Sequence, residues 1–496
     1  MRTQYSFSRT LSWLAACLWM ARIGIGVSSG ESEIRARTNA PSLNIGDLAP
    51  PLRVSHWVKG EPVKEFSRDK TYLVEFWATW CVPCRMQIPH LNELQKKFGD
   101  RGLVVIGVDV REDDRPKVEA FVAKMGAGME YRIALDEGGK DGVMRRTWLD
   151  ASGQEGIPSS VVIGRDGRVA WIGYGMDLRD SVIEAVVAGT YDVAKAGAKR
   201  AARLKYEASV NQAISTEDWD AVVAGQRGYQ PLMDEEDWAG LSGVLFVENG
   251  LQARLGKKDP AGAQRWAGEL ADAYPRSVDL NATVAGMIAD YPGLEPRDLK
   301  LARRLAARAM ESAKAPHFGA VYTLAEVMAR QGDKPGALDV LERGVRDIPD
   351  PDEKAMLRSQ FDSLRFTVCA ERKDTEGASR VAREATDRQP TDGRVQNDFA
   401  WRLVSAPGLS PRDTGLALKL ATRALELTAQ DEPAMRAMVL DTLAVAQFMS
   451  GKPEAAAENL EKAIALLVSQ QDAESKGRLE QRLKDVRAGR LPEKLD

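Results

Sequence analysis

Two cysteines separated by two residues, Cys81 and Cys84, are the side chains of this sequence best suited to chemistry. They follow an apolar, aromatic run and open a stretch with helical character. A helix N-terminus carries unpaired N–H groups and a positive dipole end, and both stabilise a thiolate. We therefore expect Cys81 to be the exposed, attacking nucleophile and Cys84 to be the shielded cysteine that resolves a mixed disulfide. A purely structural disulfide is disfavoured, because so small a loop stabilises a fold little.

Composition excludes several other kinds of site. The chain of 496 residues carries a net charge of −3, which provides no electrostatic footprint for nucleic acid. Its four cysteines and three histidines lack the spacing of a zinc site beyond the single Cys-x-x-Cys pair. Cys369 lies among apolar residues of a helical stretch, where a core position is expected. We therefore predict no metal, no bound cofactor and no nucleic-acid partner, so electrons must come from a separate donor.

The elements around the cysteine pair predict an α/β domain. The run at 72–77 is typical of a buried strand, and the chain then turns into a helix that extends to about residue 98. Further strands are expected around His56 and Trp57, at 103–110, and in a hairpin of 161–163 and 169–172, with helices at 117–125, 142–148 and 178–188. Because strands alternate with helices and the hairpin is antiparallel, the sheet is expected to be mixed.

Two segments resemble a known family. The run Val74-Glu75-Phe76-Trp77-Ala78-Thr79-Trp80-Cys81-Val82-Pro83-Cys84 and the later Gly156-Ile157-Pro158 are similar to the thioredoxin-fold oxidoreductases of the TlpA/ResA type. The similarity covers roughly residues 45 to 190. It implies a thioredoxin-like α/β domain whose activity is thiol–disulfide exchange.

The resemblance also implies roles for residues outside the cysteine pair. It implies that Pro158 follows a cis peptide bond, faces the dithiol and, together with Ile157, binds the extended chain of the substrate. Glu75 matches the family's buried acid, whose burial raises the pKa of the carboxyl group and lets it relay a proton to or from Cys84. A solvated Glu75 at the edge of the sheet is the alternative. Trp80 is expected to shape substrate access.

Two positions depart from the patterns of related proteins. Some cytochrome-maturation relatives have an acid three residues after the second cysteine, where this chain has Gln87. A dedicated role with haem proteins is therefore not implied. Relatives in the peroxiredoxin branch need a threonine three residues before the reactive cysteine, where this chain has Ala78. That difference argues against peroxidase chemistry.

After about residue 191, strand signals end and alanine-rich helical stretches follow. The segment 292–298 (P-G-L-E-P-R-D) recurs 115 residues later at 407–413 (P-G-L-S-P-R-D), which indicates a duplication. Shorter units of two helices, with small residues between them and a glycine at the turn, resemble tetratricopeptide repeats of about 34 residues. We expect about six degenerate units forming an all-α solenoid that binds a protein partner. A helical bundle without a binding face is the alternative.

The N-terminus has the features of an export signal. Two arginines precede an apolar run at 11–20, and small residues follow at 24–30. Arg22 interrupts the apolar run, which makes it too short for a good transmembrane helix. Cys17 ends a segment that resembles a lipoprotein acylation box, and a buried N-terminal helix is a further alternative. An uncleaved leader or a lipidated Cys17 would tether the protein to a membrane.

The predicted organisation has six parts. They are a signal peptide at 1–30, a linker at 31–45, a thioredoxin-like domain at 46–190, connecting helices at 191–234, tetratricopeptide-like repeats at 235–470 and a C-terminal helix or tail at 471–496. The predicted function is exported thiol–disulfide exchange on disulfide-containing extracytoplasmic proteins, with reduction favoured over oxidation. Two alternatives remain: a repeat-based binding scaffold with a redox-sensing domain, and a thiol chaperone that holds Cu(I) between Cys81 and Cys84.

Overall fold

A computed structural model of the chain describes residues 41–154, 156–349, 351–429, 432–467 and 473–491. The predicted export signal and Cys17 lie outside the described residues. The described chain divides into two compact units, the first of which ends at Ser312 and the second of which begins at Ala313. The boundary therefore falls within the helical part of the chain rather than at the change from strands to helices.

The first unit contains a six-stranded mixed sheet. Its strands are β1 (Val54–Lys59), β2 (Thr71–Trp77), β3 (Leu103–Asp109), β4 (Arg132–Asp136), β5 (Ser159–Ile163) and β6 (Val169–Tyr174), in the spatial order β1-β4-β3-β2-β5-β6. β2, β3 and β4 are parallel, whereas β1 pairs antiparallel with β4 and the β5–β6 hairpin joins β2 antiparallel. The α/β class with a mixed sheet is therefore confirmed.

Two α-helices connect parallel strands, α1 (Val82–Phe98) between β2 and β3 and α2 (Arg115–Met125) between β3 and β4, and a third, α3 (Asp180–Ala188), follows β6. Helix α1 begins directly after β2 because the chain turns at 78–81 and Cys81 caps the helix N-terminus. Pro83 lies in the first turn, where its missing N–H leaves no hydrogen bond unmade, and Lys96 and Lys97 lie in the last turn.

Strand β2 separates two apolar cores, because successive side chains point to opposite faces of a sheet. Tyr72, Val74 and Phe76 belong to the core on one face. Leu73 and Trp77 belong to the core on the other face, which also contains both cysteines of the pair. The central position of this second face is occupied by Glu75, so the strand brings a carboxyl group into the core that contains the cysteines.

The rest of the described chain is helical. In the first unit the helices are α4 (Val193–Ser215), α5 (Trp219–Tyr229), α6 (Leu241–Gly256), α7 (Pro260–Ala273), α8 (Val278–Asp290) and α9 (Leu299–Ser312). In the second unit they are α10 (Phe318–Arg330), α11 (Lys334–Asp347), α12 (Pro351–Glu371), α13 (Thr375–Arg388), α14 (Gly393–Ser405), α15 (Thr414–Leu427), α16 (Pro433–Met449), α17 (Pro453–Leu466) and α18 (Ala473–Arg487). Of the helices described, none is long and apolar enough to span a lipid bilayer.

Small side chains lie between neighbouring helices, as their spacing indicates. The buried alanines include Ala263, Ala267, Ala302 and Ala306 in the first unit and Ala378, Ala382, Ala417, Ala421, Ala456 and Ala463 in the second. Gly332 and Gly451 turn the chain between paired helices with φ of +86° and +76°. Each of the two related segments, 292–298 and 407–413, buries its central leucine in its own unit.

Helices α4 and α6 pack against the sheet-containing part of the first unit through polar contacts. Asp177, which follows β6, accepts a hydrogen bond from the hydroxyl of Ser242 at 2.6 Å and pairs with Arg203 at 3.6 Å. The guanidinium of Arg200 donates to the backbone carbonyl of Ser152. These contacts join the start of α6 and the middle of α4 to segments that follow β6 and precede β5.

Candidate active site

The two cysteines form a disulfide at the N-terminus of α1. Their sulfur atoms are 2.03 Å apart, and their Cα atoms are separated by 5.3 Å. The Sγ atom of Cys81 also accepts a hydrogen bond from the backbone N–H of Cys84, at 3.2 Å. After reduction, a thiolate at Cys81 would therefore meet a donor and the positive end of the helix dipole.

The expectation that Cys81 is exposed is wrong for this disulfide form of the protein. Cys81 is 4% exposed and Cys84 is 2% exposed. Cys81 is covered because its sulfur packs into the apolar core beneath α1 and because the carbonyl oxygen of Ile157 lies 3.7 Å from its Sγ. Exposure at the site is instead provided by the preceding residue, Trp80, which is 52% exposed.

The segment before β5 meets the cysteine pair, although it lies 76 residues further along the chain. The Ile157–Pro158 peptide bond is cis, as the family resemblance implies. Pro158 is buried, and its carbonyl accepts a hydrogen bond from the N–H of Gly175 at 3.1 Å. The structure therefore places the segment that contains the cis Ile157–Pro158 bond against Cys81, which follows the exposed Trp80 in the chain.

Glu75 is buried in the sheet rather than solvated at its edge, since it is 1% exposed. It lies directly opposite Ser160 on β5, and the hydroxyl of Ser160 donates to its Oε2. Its Oε1 has no hydrogen-bond partner among the described residues. Burial raises the pKa of Glu75 to about 8, against the lowering effect of the Ser160 hydrogen bond. Glu75 is therefore mostly protonated at neutral pH. At a pH near 8 its protonated and ionised forms are both populated, so it can donate or accept a proton.

Comparison with known proteins places this site in a family. The sequence profile of the Redoxin family matches residues 46–187. Protein FixW of Rhizobium leguminosarum is 32% identical over 198 residues, which are 37% of this chain and 88% of that protein. The chain belongs to the redoxin family. Its sheet-containing part is a thioredoxin-like thiol–disulfide oxidoreductase.

Other relatives of this redoxin carry names that agree. The thiol-disulfide oxidoreductase ResA of Bacillus thuringiensis subsp. konkukian is 31% identical over 27% of this chain and 70% of its own length. The thiol:disulfide interchange protein HelX of Rhodobacter capsulatus is 31% identical over 31% of this chain and 82% of its own length. Among solved structures, a thiol-disulfide isomerase from Corynebacterium glutamicum matches with 22% identity and a TM-score of 0.26, covering 30% of this chain and 97% of that one. These relatives cover less than two fifths of the redoxin chain and do not account for most of its helices.

Gln87 occupies a buried position on α1 of the redoxin. It is 5% exposed, and neither atom of its carboxamide has a hydrogen-bond partner in the described part of the chain. The side chain lies against the backbone of Gly175, where an added Cβ would be 2.2 Å from its Oε1. A neutral amide is therefore tolerated at this position, whereas an ionised acid would lack any compensating donor.

Sequence reasoning missed a pair of carboxyl groups, Asp109 and Glu112, that lies beside the turn before the cysteines. Glu112 accepts hydrogen bonds from the N–H of Thr79 at 2.5 Å and from its hydroxyl at 2.7 Å. Burial acts to raise the pKa of Glu112, but the hydrogen bonds from Thr79 outweigh it and the pKa is lowered. Burial, together with the charge of Glu112, raises the pKa of neighbouring Asp109 to about 9. The pair therefore carries one negative charge and one proton at neutral pH.

The missed residues had only weak signals in the sequence. Asp109 and Glu112 lie at the end of β3, and the carboxyl ends of parallel strands meet at the same edge of a sheet. Ser160 is a polar residue at the beginning of an apolar strand. Both signals become informative only when the pairing of β2 with β3 and β5 is known.

Replacing Glu112 by alanine is expected to lower the free energy of unfolding by about 2 kcal/mol. The substitution removes two hydrogen bonds to a charged group and leaves the N–H of Thr79 without its acceptor. Urea unfolding of the oxidised protein at neutral pH measures the change. The control is Glu93→Ala on α1, whose side chain is 70% exposed and forms an ion pair with Lys96, and which we expect to change stability by less than about 0.5 kcal/mol. Equal, small losses in both variants would show that Glu112 does not hold the turn.

Proposed function

We propose that this redoxin is an exported oxidoreductase that reduces disulfides of extracytoplasmic proteins through Cys81 and Cys84. The observation that carries the proposal is the position of the disulfide at a helix N-terminus, with the Ile157 carbonyl 3.7 Å from the Sγ of Cys81. An extended substrate chain can hydrogen-bond to such a segment while its disulfide reaches Cys81. The exposed indole of Trp80 offers apolar contact to the same chain.

The reaction proceeds by two exchanges. The thiolate of Cys81 attacks one sulfur of the substrate disulfide, that S–S bond breaks, and the other substrate sulfur leaves as a thiolate. Cys84 then attacks the Sγ of Cys81, which forms the Cys81–Cys84 disulfide and releases the second substrate thiolate. The substrate gains two electrons, and a separate dithiol donor must return them to the protein.

Glu75 is proposed to serve the second exchange. Cys84 must lose its proton before it attacks, and Glu75, on the same face of β2 as the cysteine core, can accept that proton in its ionised form, whose share rises as the pH approaches 8. The pKa of Glu75, raised to about 8, is close to that of an ordinary cysteine thiol, about 8.5. Transfer of a proton from Cys84 to ionised Glu75 therefore costs little free energy. Glu75 would return the proton when the cysteine pair is reduced again.

The helical region is proposed to be a tetratricopeptide-like array that binds a protein partner. Its support is the repeated pattern of buried alanines, turn glycines and paired helices, together with the internal duplication at an offset of 115 residues. We propose domain limits of 46–190 for the thioredoxin-like part, 191–234 for connecting helices, 235–470 for the repeats and 471–496 for the tail.

The proposed location is the extracytoplasmic side of a membrane. Its support is the arrangement of charge, apolar run and small residues at 1–30. Either an uncleaved leader or an acylated Cys17 would keep the protein at the membrane surface. Mass spectrometry of the N-terminus of the protein isolated from its native cells distinguishes cleavage, retention and acylation.

The reductive direction is tested by the equilibrium potential of the cysteine pair. We expect a value close to that of thioredoxin, about −270 mV, when the purified protein is equilibrated with glutathione buffers. The fraction of oxidised protein is read by thiol alkylation and mass spectrometry. A value near −120 mV, typical of a strong oxidant, would reverse the proposed direction of electron flow.

A further inference from the structure

A cavity of about 360 Å³ lies among helices α5, α6 and α7 of the first unit. Its volume falls within the range of small-ligand sites. The charged residues in its lining are Arg227, Arg254, Arg265 and Glu269, so positive charge is in excess by two. This excess contrasts with the slightly negative chain as a whole, and it points to an anionic ligand.

The guanidinium of Arg254 is held in place before any ligand arrives. Its central carbon lies 4.0 Å from the centroid of the Trp266 ring. Its Nη1 donates to the carbonyl of Gly250 at 2.8 Å and to the Oε1 of Gln226 at 3.3 Å. Gln226 is 2% exposed and is fixed by its own hydrogen bond to the carbonyl of Phe246, at 2.7 Å. Such preorganisation lowers the entropic cost of binding.

Trp266 can lie against α6 only because position 250 is glycine. A Cβ on Gly250 would be 1.9 Å from the Cη2 atom of the Trp266 ring, well inside contact distance. Glycine destabilises the interior of a helix relative to alanine. In this helix, it admits the ring that forms a wall of the cavity and supports Arg254.

The positive charge of the cavity is only partly neutralised by the residues that the structure describes. Arg265 lies 3.9 Å from Asp259. In the part of the chain that the structure describes, Arg227 and Arg254 have no acidic group within ion-pair distance. Burial and the nearby charge of Arg227 lower the pKa of Arg254 to about 10, against the raising effect of Glu269 and Asp259, so Arg254 remains charged at neutral pH. A carboxylate placed between them would relieve their repulsion and gain charge-assisted hydrogen bonds.

We infer that this cavity binds an acidic peptide segment of a protein partner, with carboxylates held by Arg227 and Arg254. The carboxamide of Gln230, which also lines the cavity, is suited to hydrogen-bond the peptide main chain. Glu269 opposes densely charged anions such as polyphosphates, because its carboxylate lines the same cavity. The inference rests on the proposed partner-binding role of the helical region and names the chemistry that the partner must present.

Binding is tested with the full-length protein and a fluorescein-labelled peptide of alternating glutamate and glycine, followed by fluorescence anisotropy. We expect the glutamate peptide to bind and its glutamine counterpart to bind at least about tenfold more weakly. Arg227→Glu should weaken glutamate-peptide binding by about tenfold or more. Lys419→Glu makes the same change in net charge on α15 of the second unit, outside the cavity lining, and should leave the affinity unchanged.

Three results would overturn the inference. One is equal binding of the glutamate and glutamine peptides, and another is an equal loss of affinity in Arg227→Glu and Lys419→Glu. The third is displacement of the labelled peptide by inorganic phosphate as effectively as by unlabelled peptide, which would make the cavity a site for small anions.

Because Arg227 is exposed, its variant is expected to fold, and Arg254→Gln provides a second test in the cavity. Insulin reduction is measured in parallel, so that failure of this site is distinguished from failure of the dithiol.

Discussion

Cys81→Ser is expected to reduce the rate of insulin-disulfide reduction to that of dithiothreitol alone. The substitution removes the sulfur that lies at the helix N-terminus and beside the Ile157 carbonyl, and a serine hydroxyl cannot attack a disulfide at neutral pH. Cys84→Ser is expected to be equally inactive in turnover but to accumulate a mixed disulfide with the substrate, because the attacking thiolate remains and the resolving one is absent. Precipitation of the insulin B chain measures the rate, and non-reducing electrophoresis detects the trapped complex.

Cys369 provides the matched control for these variants. It is half-buried on α12 and packs against the core of the second unit, and burial raises the pKa of its thiol. Cys369→Ser should therefore leave insulin reduction unchanged. If Cys81→Ser is as active as the unmodified protein, the oxidoreductase assignment of this pair is wrong. Retention of one Cu(I) per pair in the presence of glutathione would then favour the copper-chaperone alternative.

Glu75→Gln is expected to stabilise the protein increasingly as the pH rises. The pKa of Glu75 is raised by burial from an ordinary 4.5 to about 8, so the folded state holds a proton that the unfolded state has lost between these values. Stability of the unmodified protein therefore falls with rising pH across this window, by about 1.4 kcal/mol per pH unit. A neutral glutamine lacks this dependence. The advantage of the variant should grow by about 3 kcal/mol between pH 5 and pH 8.

Urea unfolding of the oxidised protein and its variant at a series of pH values measures this difference. Glu93→Gln on the exposed side of α1 is the matched control, and its stability relative to the unmodified protein should not depend on pH in this range. A pH-independent difference between Glu75→Gln and the unmodified protein would contradict the raised pKa. The same Glu75 variant should slow turnover by about a hundredfold and remove a pH dependence near pH 8, if Glu75 accepts the proton of Cys84.

Local sequence patterns were sufficient for the elements next to the cysteine pair. The strand predicted at 72–77 runs over Thr71–Trp77, and the strand predicted at 103–110 runs over Leu103–Asp109. The hairpin lies where its turn and apolar runs indicate. The helix predicted after the strand runs over Val82–Phe98, with Cys81 as its cap. The pair, the segment with Pro158 and the strand with Glu75 were found because each has a short, local signature.

Elements determined by distant contacts were less predictable. The segment predicted as a helix at 142–148 is helical over 143–152, but it has π-helical geometry at Arg145–Asp150, which the sequence did not predict. The carboxylate of Asp136 accepts hydrogen bonds from the N–H groups of Met144 and Arg145, at 2.8 and 2.9 Å, and these bonds fix where the turn begins. β4 was missed, since its five residues show no clear alternation. Ser160 and the Asp109–Glu112 pair were missed for a related reason: each meets its partner only across neighbouring strands.

Helix α6 extends from the thioredoxin-like part of the first unit to the cavity that Arg254 lines. The first turn of α6 is attached to the thioredoxin-like part by the hydrogen bond from Ser242 to Asp177. Its last turn carries Arg254, one of the arginines that line the cavity. Arg254 lies twelve positions after Ser242 on this helix, which corresponds to a rise of about 18 Å along the helix axis. If the cavity captures a partner as proposed, the attachment of α6 to the thioredoxin-like part would raise the effective concentration of that partner near the redox domain. Weak recognition of a disulfide by Cys81 itself would then suffice for rapid turnover of the chosen partner.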